Sequence, residues 1–204
     1  MRHDGLPRQT PPFQAPPVDD AVLLAEQPAP LPPRRASARF LRGHPARWLA
    51  LGFGSGLSPV APGTVGTLWA WVAFLVLDRW LGDTGWALLI GAALPLGVWA
   101  CTRTAQHLGS ADPGAIVWDE IVAFWLVLWL VMPVGLVGQV LAFALFRYFD
   151  AAKPGPVGWA DRCFKPRPGQ TIGWRQGFGI LFDDLVAAGC TLLVIALWMR
   201  MVGP

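Results

Sequence analysis

The sequence predicts an all-α fold: an integral membrane bundle of about five helices, some short or re-entrant, behind a disordered Pro-rich N-terminal leader. Three observations lead there. Of the 204 residues, 54% belong to the AVILMFWYC set and only 14% are charged. A soluble domain carries about 25% charge, so this chain lacks the means to cover a water-facing surface. Four apolar segments, 65–81, 85–101, 121–149 and 185–202, dominate the chain after residue 47. Before that point lie 10 of the 20 prolines and no apolar run longer than 21–25.

The leader, 1–47, is too short of apolar residues for a signal peptide, which needs a run of about 7–15. It reads as disordered, turning into a basic amphipathic approach helix near 34–48. Arg34, Arg35, Arg39, Arg42 and Arg47 stand there with no acid between them, which marks the cytoplasmic side. The sequence pI is 9.1 and the formal charge +3. All of that excess lies in the leader, which holds seven Arg and four acids; residues 48–204 hold nine basic and nine acidic residues. A basic tail beside apolar segments points to an anionic membrane surface and not to nucleic acid. Cys101, Cys163 and Cys190 have no CxxC spacing, which excludes a disulfide framework or a zinc site. Two units follow: a leader, 1–47, and a helical membrane domain, 48–204.

The first two apolar segments each make one helix. The third carries Pro133 and Gly135 near its middle and is split there, giving two shorter helices. A half of 12 to 14 residues spans roughly 20 Å, short of a hydrocarbon core about 30 Å thick, hence the tilted or re-entrant expectation. With the N-terminus in the cytoplasm and a crossing at each helix, loops 48–64, 102–120 and 147–184 share the cytoplasmic face. Fourteen of the 16 Lys and Arg then lie inside, in accord with the positive-inside rule. Seven acids join them: Asp112, Asp119, Glu120, Asp150, Asp161, Asp183 and Asp184.

Asp119-Glu120 open the third helix and Asp183-Asp184 come just before the last. One reading is helix capping, which the macrodipole favours. The other is a divalent cation, because two adjacent carboxylates repel and neither is cheaply desolvated at a membrane boundary. Hard oxygen ligands suit Mg²⁺. Arg147, Asp150 and Lys153 recur three apart before Pro154, either as an interfacial ion pair with a snorkelling lysine or as metal and phosphate contacts. Arg162 beside Asp161 has the same two readings. The stretch Gly52-Phe53-Gly54-Ser55-Gly56 through Pro62-Gly63-Thr64-Val65-Gly66-Thr67 suits a tight turn and close helix packing, or a backbone phosphate cradle. It has no Gly-Lys-Ser/Thr, so it is not a Walker A loop. His107, between the second and third helices, reads as a lone solvated histidine. With no Cys-x5-Arg, Asp-x-Asp or His-x-x-x-His, any hydrolysis rests on metal and carboxylates.

Taken together these residues resemble the phosphatidylglycerophosphatase A family. The likeness lies in Gly52–Pro59 with Pro62–Leu68, in Asp112–Glu120, and in Phe146–Asp150 with Lys153, Pro154 and Pro156, closing on Gly177–Asp184 and Ala188-Gly189. It covers about 48–204. Two departures stand out: 164–175 is longer than the family pattern, and Gln176 stands where a glycine is usual. The resemblance implies an all-helical, Mg²⁺-dependent lipid phosphatase of the inner membrane, multi-pass and with its site facing the cytoplasm. Its substrate would be phosphatidylglycerophosphate, and its products phosphatidylglycerol and phosphate. Carried over, the catalytic residues are Asp119, Glu120, Asp150 and Asp184. The metal ligands are Glu120, Asp150, Asp183 and Asp184, and the substrate contacts are Thr64, Arg147, Lys153 and Arg162. The competing class is a non-enzymatic transporter subunit or assembly factor with the acids as gating ion pairs. It calls for ionisable residues inside the helices, where this chain has almost none. A CDP-alcohol phosphotransferase would need an Asp-Gly-x-x-Ala-Arg motif, which is missing.

Overall fold

The computed structural model describes residues 35–165 and 171–202. The leader up to residue 34, and with it the expectation of disorder, lies outside the described residues. What is described is all helix, with no strand. In chain order the α-helices are α1 (Ala38–Leu41), α2 (Pro45–Ala50), α3 (Pro62–Leu77), α4 (Asp83–Leu108), α5 (Trp118–Val131), α6 (Leu136–Ala152), α7 (Pro156–Cys163) and α8 (Trp174–Val202). A 3-10 helix, Gly52–Leu57, joins α2 to α3. That makes nine helical elements among the described residues where about five were expected. The five long ones, α3 to α6 and α8, overlie the apolar segments and their split; the short ones lie in stretches that hydropathy reads as loops.

The approach helix expected near 34–48 is instead two short helices. Ser37 caps α1 by accepting from the Phe40 N–H at 3.2 Å, and His44 Nδ1 caps α2 by accepting from the Ala46 N–H at 3.1 Å. Leu41 and Ala46 are buried, so this segment packs onto the bundle. Arg47 Nε donates to His107 Nδ1 at 3.2 Å, and the His44 ring meets the His107 ring edge-on at 5.3 Å. His107 is thus an anchor for α2 and not a solvated histidine.

From Ile121 onward α5 is apolar on every face, and a helix of that kind belongs inside a bundle. Ile121, Val122, Ala123, Phe124, Trp125, Val127 and Leu128 are all buried. α8 packs on α4, α5, α6 and α7, and α3 packs on α5. The buried tryptophans Trp86, Trp118 and Trp125 fit this interior because their indole N–H groups find acceptors. Trp125 donates to the Ala70 carbonyl at 2.9 Å, Trp118 to the Ala93 carbonyl at 3.1 Å and Trp71 to Gln139 Oε1 at 2.7 Å. Two helices, α4 and α8, are long and apolar enough to cross a membrane by length and composition. Only 33% and 39% of their most apolar windows are buried, so most of that apolar surface is left facing outward.

The long helices alternate in direction, which brings the starts of α3 and α5, the end of α6 and the first turns of α8 to one end. Asp183-Asp184 do not precede the last helix: α8 begins at Trp174, and the pair lies well inside it. Both carboxyls are buried, and neither caps the helix. The glycine-rich stretch is a close-packed turn. Gly52 has φ +52, and a Cβ there would lie 2.7 Å from both Val117 and Ile121 side chains, while one at Gly56 would meet the Ala115 carbonyl at 2.1 Å.

Candidate active site

At that shared end opens a cleft of about 640 Å³, a volume that includes its solvent-filled mouth. Its walls come from the α4–α5 loop, the end of α6, α7 with the residues just after it, and the first half of α8. All seven acids that the charge pattern assigned to one face line it: Asp112, Asp119, Glu120, Asp150, Asp161, Asp183 and Asp184. Lys153 and Lys165 are the basic residues among the described lining. Such an excess of carboxylate in a half-enclosed site calls for protons or for a cation.

Three of the acids converge. Asp119 and Glu120, in the first turn of α5, and Asp184 on α8 each offer an oxygen, and these oxygens lie within 4.8 Å of one another. Asp119 Oδ1, Glu120 Oε2 and Asp184 Oδ2 are buried with no hydrogen-bond partner. Burying an unpaired carboxylate oxygen is costly, and a divalent cation is the partner that would satisfy three at once. Burial pushes the Glu120 carboxyl up to about 7; its hydrogen bond with Asp119 and the Arg147 guanidinium pull it down, while the Asp150 charge pushes it up. Burial, then the Glu120 and Asp184 charges, hold Asp119 well above the usual carboxylate range.

Around this trio Asp150, Asp161 and Asp183 are held by cations. Arg147 on α6 pairs with Asp150 one turn on, approaches Glu120 Oε1 to 3.9 Å and donates to Thr67 Oγ1 at 3.5 Å. Lys153 ends α6 in the left-handed conformation, φ +46. Its ammonium donates to Asp161 on α7 at 2.5 Å and to Asp183 on α8 at 2.6 Å. Burial alone lowers the Lys153 ammonium, but those two hydrogen bonds outweigh it and hold the group well above its ordinary value. Asp161 also receives Lys165 at 2.6 Å. Burial raises its carboxyl, yet the two lysines bring it below the ordinary 3.8.

The sequence-assigned residues therefore separate. Asp119, Glu120 and Asp184 meet. Asp150 and Asp183 line the same cleft but are engaged by Arg147 and Lys153. Arg147 stands behind Glu120 and Asp150. Thr64 lies outside the cleft lining, and it is Thr67, one turn on, that meets Arg147. Arg162 is exposed on α7 and also outside the lining. Lys165 is a cleft residue that the sequence did not single out, whereas Asp161 was placed on this face by the charge pattern but given no role of its own. Gln176, the departure from the family pattern, is buried in the wall and its Oε1 accepts from the Gly173 N–H at 2.9 Å, closing the start of α8.

Fold and site define a class: an all-helical protein with outward-facing apolar helices and, at one end, a carboxylate cluster fit for a divalent metal. A family model described as Phosphatidylglycerophosphatase A matches residues 48–199. A protein of Escherichia coli (strain K12) named Phosphatidylglycerophosphatase A is 38% identical over 153 residues, covering 74% of this chain and 82% of that one. One of the same name from Haemophilus influenzae is 36% identical over 152 residues, 74% of this chain and 87% of the relative. A Bacteroides thetaiotaomicron protein, provisionally named a phosphatidylinositol-3-phosphatase, is 31% identical over 169 residues, 76% and 94% of the two chains. No solved structure matches the chain. The chain belongs to the phosphatidylglycerophosphatase A family.

Proposed function

We propose that this protein is a lipid phosphatase that hydrolyses phosphatidylglycerophosphate to phosphatidylglycerol and inorganic phosphate, with Mg²⁺ as cofactor. Family membership supports the reaction. The observation that supports the metal is that Asp119, Glu120 and Asp184 each leave one buried oxygen unpaired at the point where they converge. These three would hold the ion, and all-oxygen ligation with room for water is the environment Mg²⁺ takes. Bound there, the ion would polarise a phosphoryl oxygen and favour ionisation of a nearby water.

The protein's own groups supply the rest. Lys153 and Lys165 bring positive charge to the cleft wall, where a dianionic monoester needs it. Arg147 fixes Glu120 and Asp150 through its guanidinium. Asp150, facing the cleft but outside the trio, accepts the proton of the attacking water as the phosphorus–oxygen bond to glycerol breaks, and the departing glycerol oxygen takes a proton from solvent water to leave as the alcohol. Thr64 and Arg162 have no part in this assignment. The outward-facing apolar surfaces of α4 and α8 support seating in the inner, cytoplasmic membrane, and the clustering of Lys and Arg at the cleft end supports a cytoplasm-facing site.

Phosphate release from purified protein tests the reading, with phosphatidylglycerophosphate, phosphatidic acid and phosphatidylinositol 3-phosphate as alternative substrates, in Mg²⁺ and in EDTA. Release from the first, abolished by EDTA, is the expected result. No Mg²⁺-dependent release overturns the function, and equal release from the other two lipids overturns the substrate.

A further inference from the structure

A lipid whose phosphate sits in the cleft must still place its acyl chains, and the carboxylate-rich walls offer them nothing. Of the larger apolar residues in the lining, Ile116 and Ile180 are buried, whereas Phe164 continues into a row of rings on the outer side of α7 and α8. Phe164 lies 5.2 Å from Phe178 and 5.3 Å from Phe182; Phe178 and Phe182 stack at 5.7 Å, and Trp159 meets Phe182 at 6.4 Å. Phe178 and Phe182 are four apart on α8, so they share one face. The same turns present Gly179, Ile180, Asp183 and Asp184 to the cleft.

Core packing does not account for the row. None of the four rings belongs to the hydrophobic core or to the residues packed against it. Trp159 is 58% exposed and Phe178 44%. The row is nonetheless built in: a Cβ at Gly179 would lie 2.4 Å from the Phe164 Cβ, so that ring rests directly on the α8 backbone. An exposed tryptophan such as Trp159 beside an apolar helix marks the membrane–water interface, where a headgroup and the first methylenes meet.

Resting on the lipid-phosphatase reading above, we propose that Trp159, Phe164, Phe178 and Phe182 are the substrate's acyl-chain rest. The diacylglycerol portion of the lipid lies along these rings while its terminal phosphate occupies the cleft, between Lys153 and Lys165 and the carboxylate trio. These are specificity-determining contacts and touch no reacting atom. They distinguish a membrane lipid from a free phosphate ester, since each methylene laid against the rings is worth up to about fourfold in affinity.

The test compares wild type with Trp159→Ser/Phe178→Ser, both changes at exposed positions. The probes are water-soluble dioctanoyl phosphatidylglycerophosphate as substrate and its deacylated headgroup as competitive inhibitor. The variant's KM for the dioctanoyl lipid rises tenfold or more with kcat within twofold, and the headgroup inhibits both proteins with the same Ki. Phe178→Leu, which keeps an apolar side chain, stays within threefold of wild type in KM. An unchanged KM in the double variant overturns the proposal, as does a Ki that worsens by the same factor as KM. A headgroup that inhibits neither protein overturns the seating of phosphate in the cleft. A wild type inert toward the lipid overturns the phosphatase reading and this inference together, whereas an active wild type matched by the double variant overturns this inference alone.

Discussion

Gly63, in the first turn of α3, brings the backbone up against Glu120 and Arg147. A Cβ built there would lie 2.3 Å from Glu120 Oε1 and 3.2 and 3.3 Å from the two Arg147 guanidinium nitrogens. Ordinary contact begins at 3.4 Å, so Gly63→Ala forces the Glu120 carboxylate to retreat by about 1 Å. The obstructed atoms end flexible side chains, so the fold yields cheaply. Alanine in a helix also stabilises it by about 0.5–1 kcal/mol relative to glycine. A displacement of about 1 Å in a catalytic group costs on the order of 100-fold in rate, or nearly 3 kcal/mol in transition-state stabilisation. Gly63→Ala therefore folds with an unchanged or slightly higher Tm and hydrolyses phosphatidylglycerophosphate about 100-fold more slowly. Turnover by inorganic-phosphate release and thermal unfolding on the same preparation check this. Wild-type turnover in Gly63→Ala would refute the placement of Glu120; a fall in Tm matching the fall in rate would show a fold defect instead.

Four further outcomes follow from the same geometry. Because Glu120 is raised to about 7, protons compete with the cation, and the Mg²⁺ concentration for half-maximal activity falls about tenfold between pH 6 and pH 8; a pH-independent value contradicts the assignment. The same raised carboxyl makes the metal-free protein less stable as pH rises from its ordinary 4.5 toward 7, by on the order of 3 kcal/mol, and saturating Mg²⁺ removes that loss in a thermal melt. Asp161 runs the other way, but only as pH falls below its ordinary 3.8. Lys153→Met leaves Asp161 and Asp183 without their shared cation and lowers kcat at least tenfold, while Arg162→Ala stays within twofold of wild type; comparable losses in both would erase the distinction. Gly177→Ala sets a Cβ 1.9 Å from Thr102 Oγ1 and 2.8 Å from the Val98 carbonyl, so α4 and α8 must part, with a destabilisation of about 1–3 kcal/mol seen as a lower Tm.

What the sequence made legible was whatever hydropathy and charge encode directly. The break in 121–149 fell at Pro133 because proline cannot continue a helix, and seven acids fell on one face because three loops alternate with apolar segments. The start of α8 was missed for a physical reason. Residues 174–184 carry Arg175, Gln176, two glycines and two acids, which break the apolar run that marks the rest of the helix, and Gly177 lets α8 press on α4 there. The cation pattern depends on tertiary structure too. Lys153 adopts a left-handed turn that folds α7 back over α8, which places Asp161 and Lys165 in the cleft and leaves neighbouring Arg162 outside. Thr67 in place of Thr64 at Arg147 is a matter of helix register. α3 starts at Pro62, not Val65, and it is the hydroxyl one turn further along the same face, Thr67, that stands level with Arg147. Asp119 joins Glu120 at the trio although neighbours on a helix point about 100° apart, and only the packing of α8 shows both reaching Asp184.

The central claim is that Asp119, Glu120 and Asp184 form the cation-dependent centre of phosphatidylglycerophosphate hydrolysis. The most direct measurement is phosphate release from that lipid by Glu120→Gln and Asp184→Asn, near-isosteric changes that remove charge and not volume, in saturating Mg²⁺. The account predicts a loss of at least 100-fold in each, with both proteins folded. Wild-type turnover in either variant would contradict it.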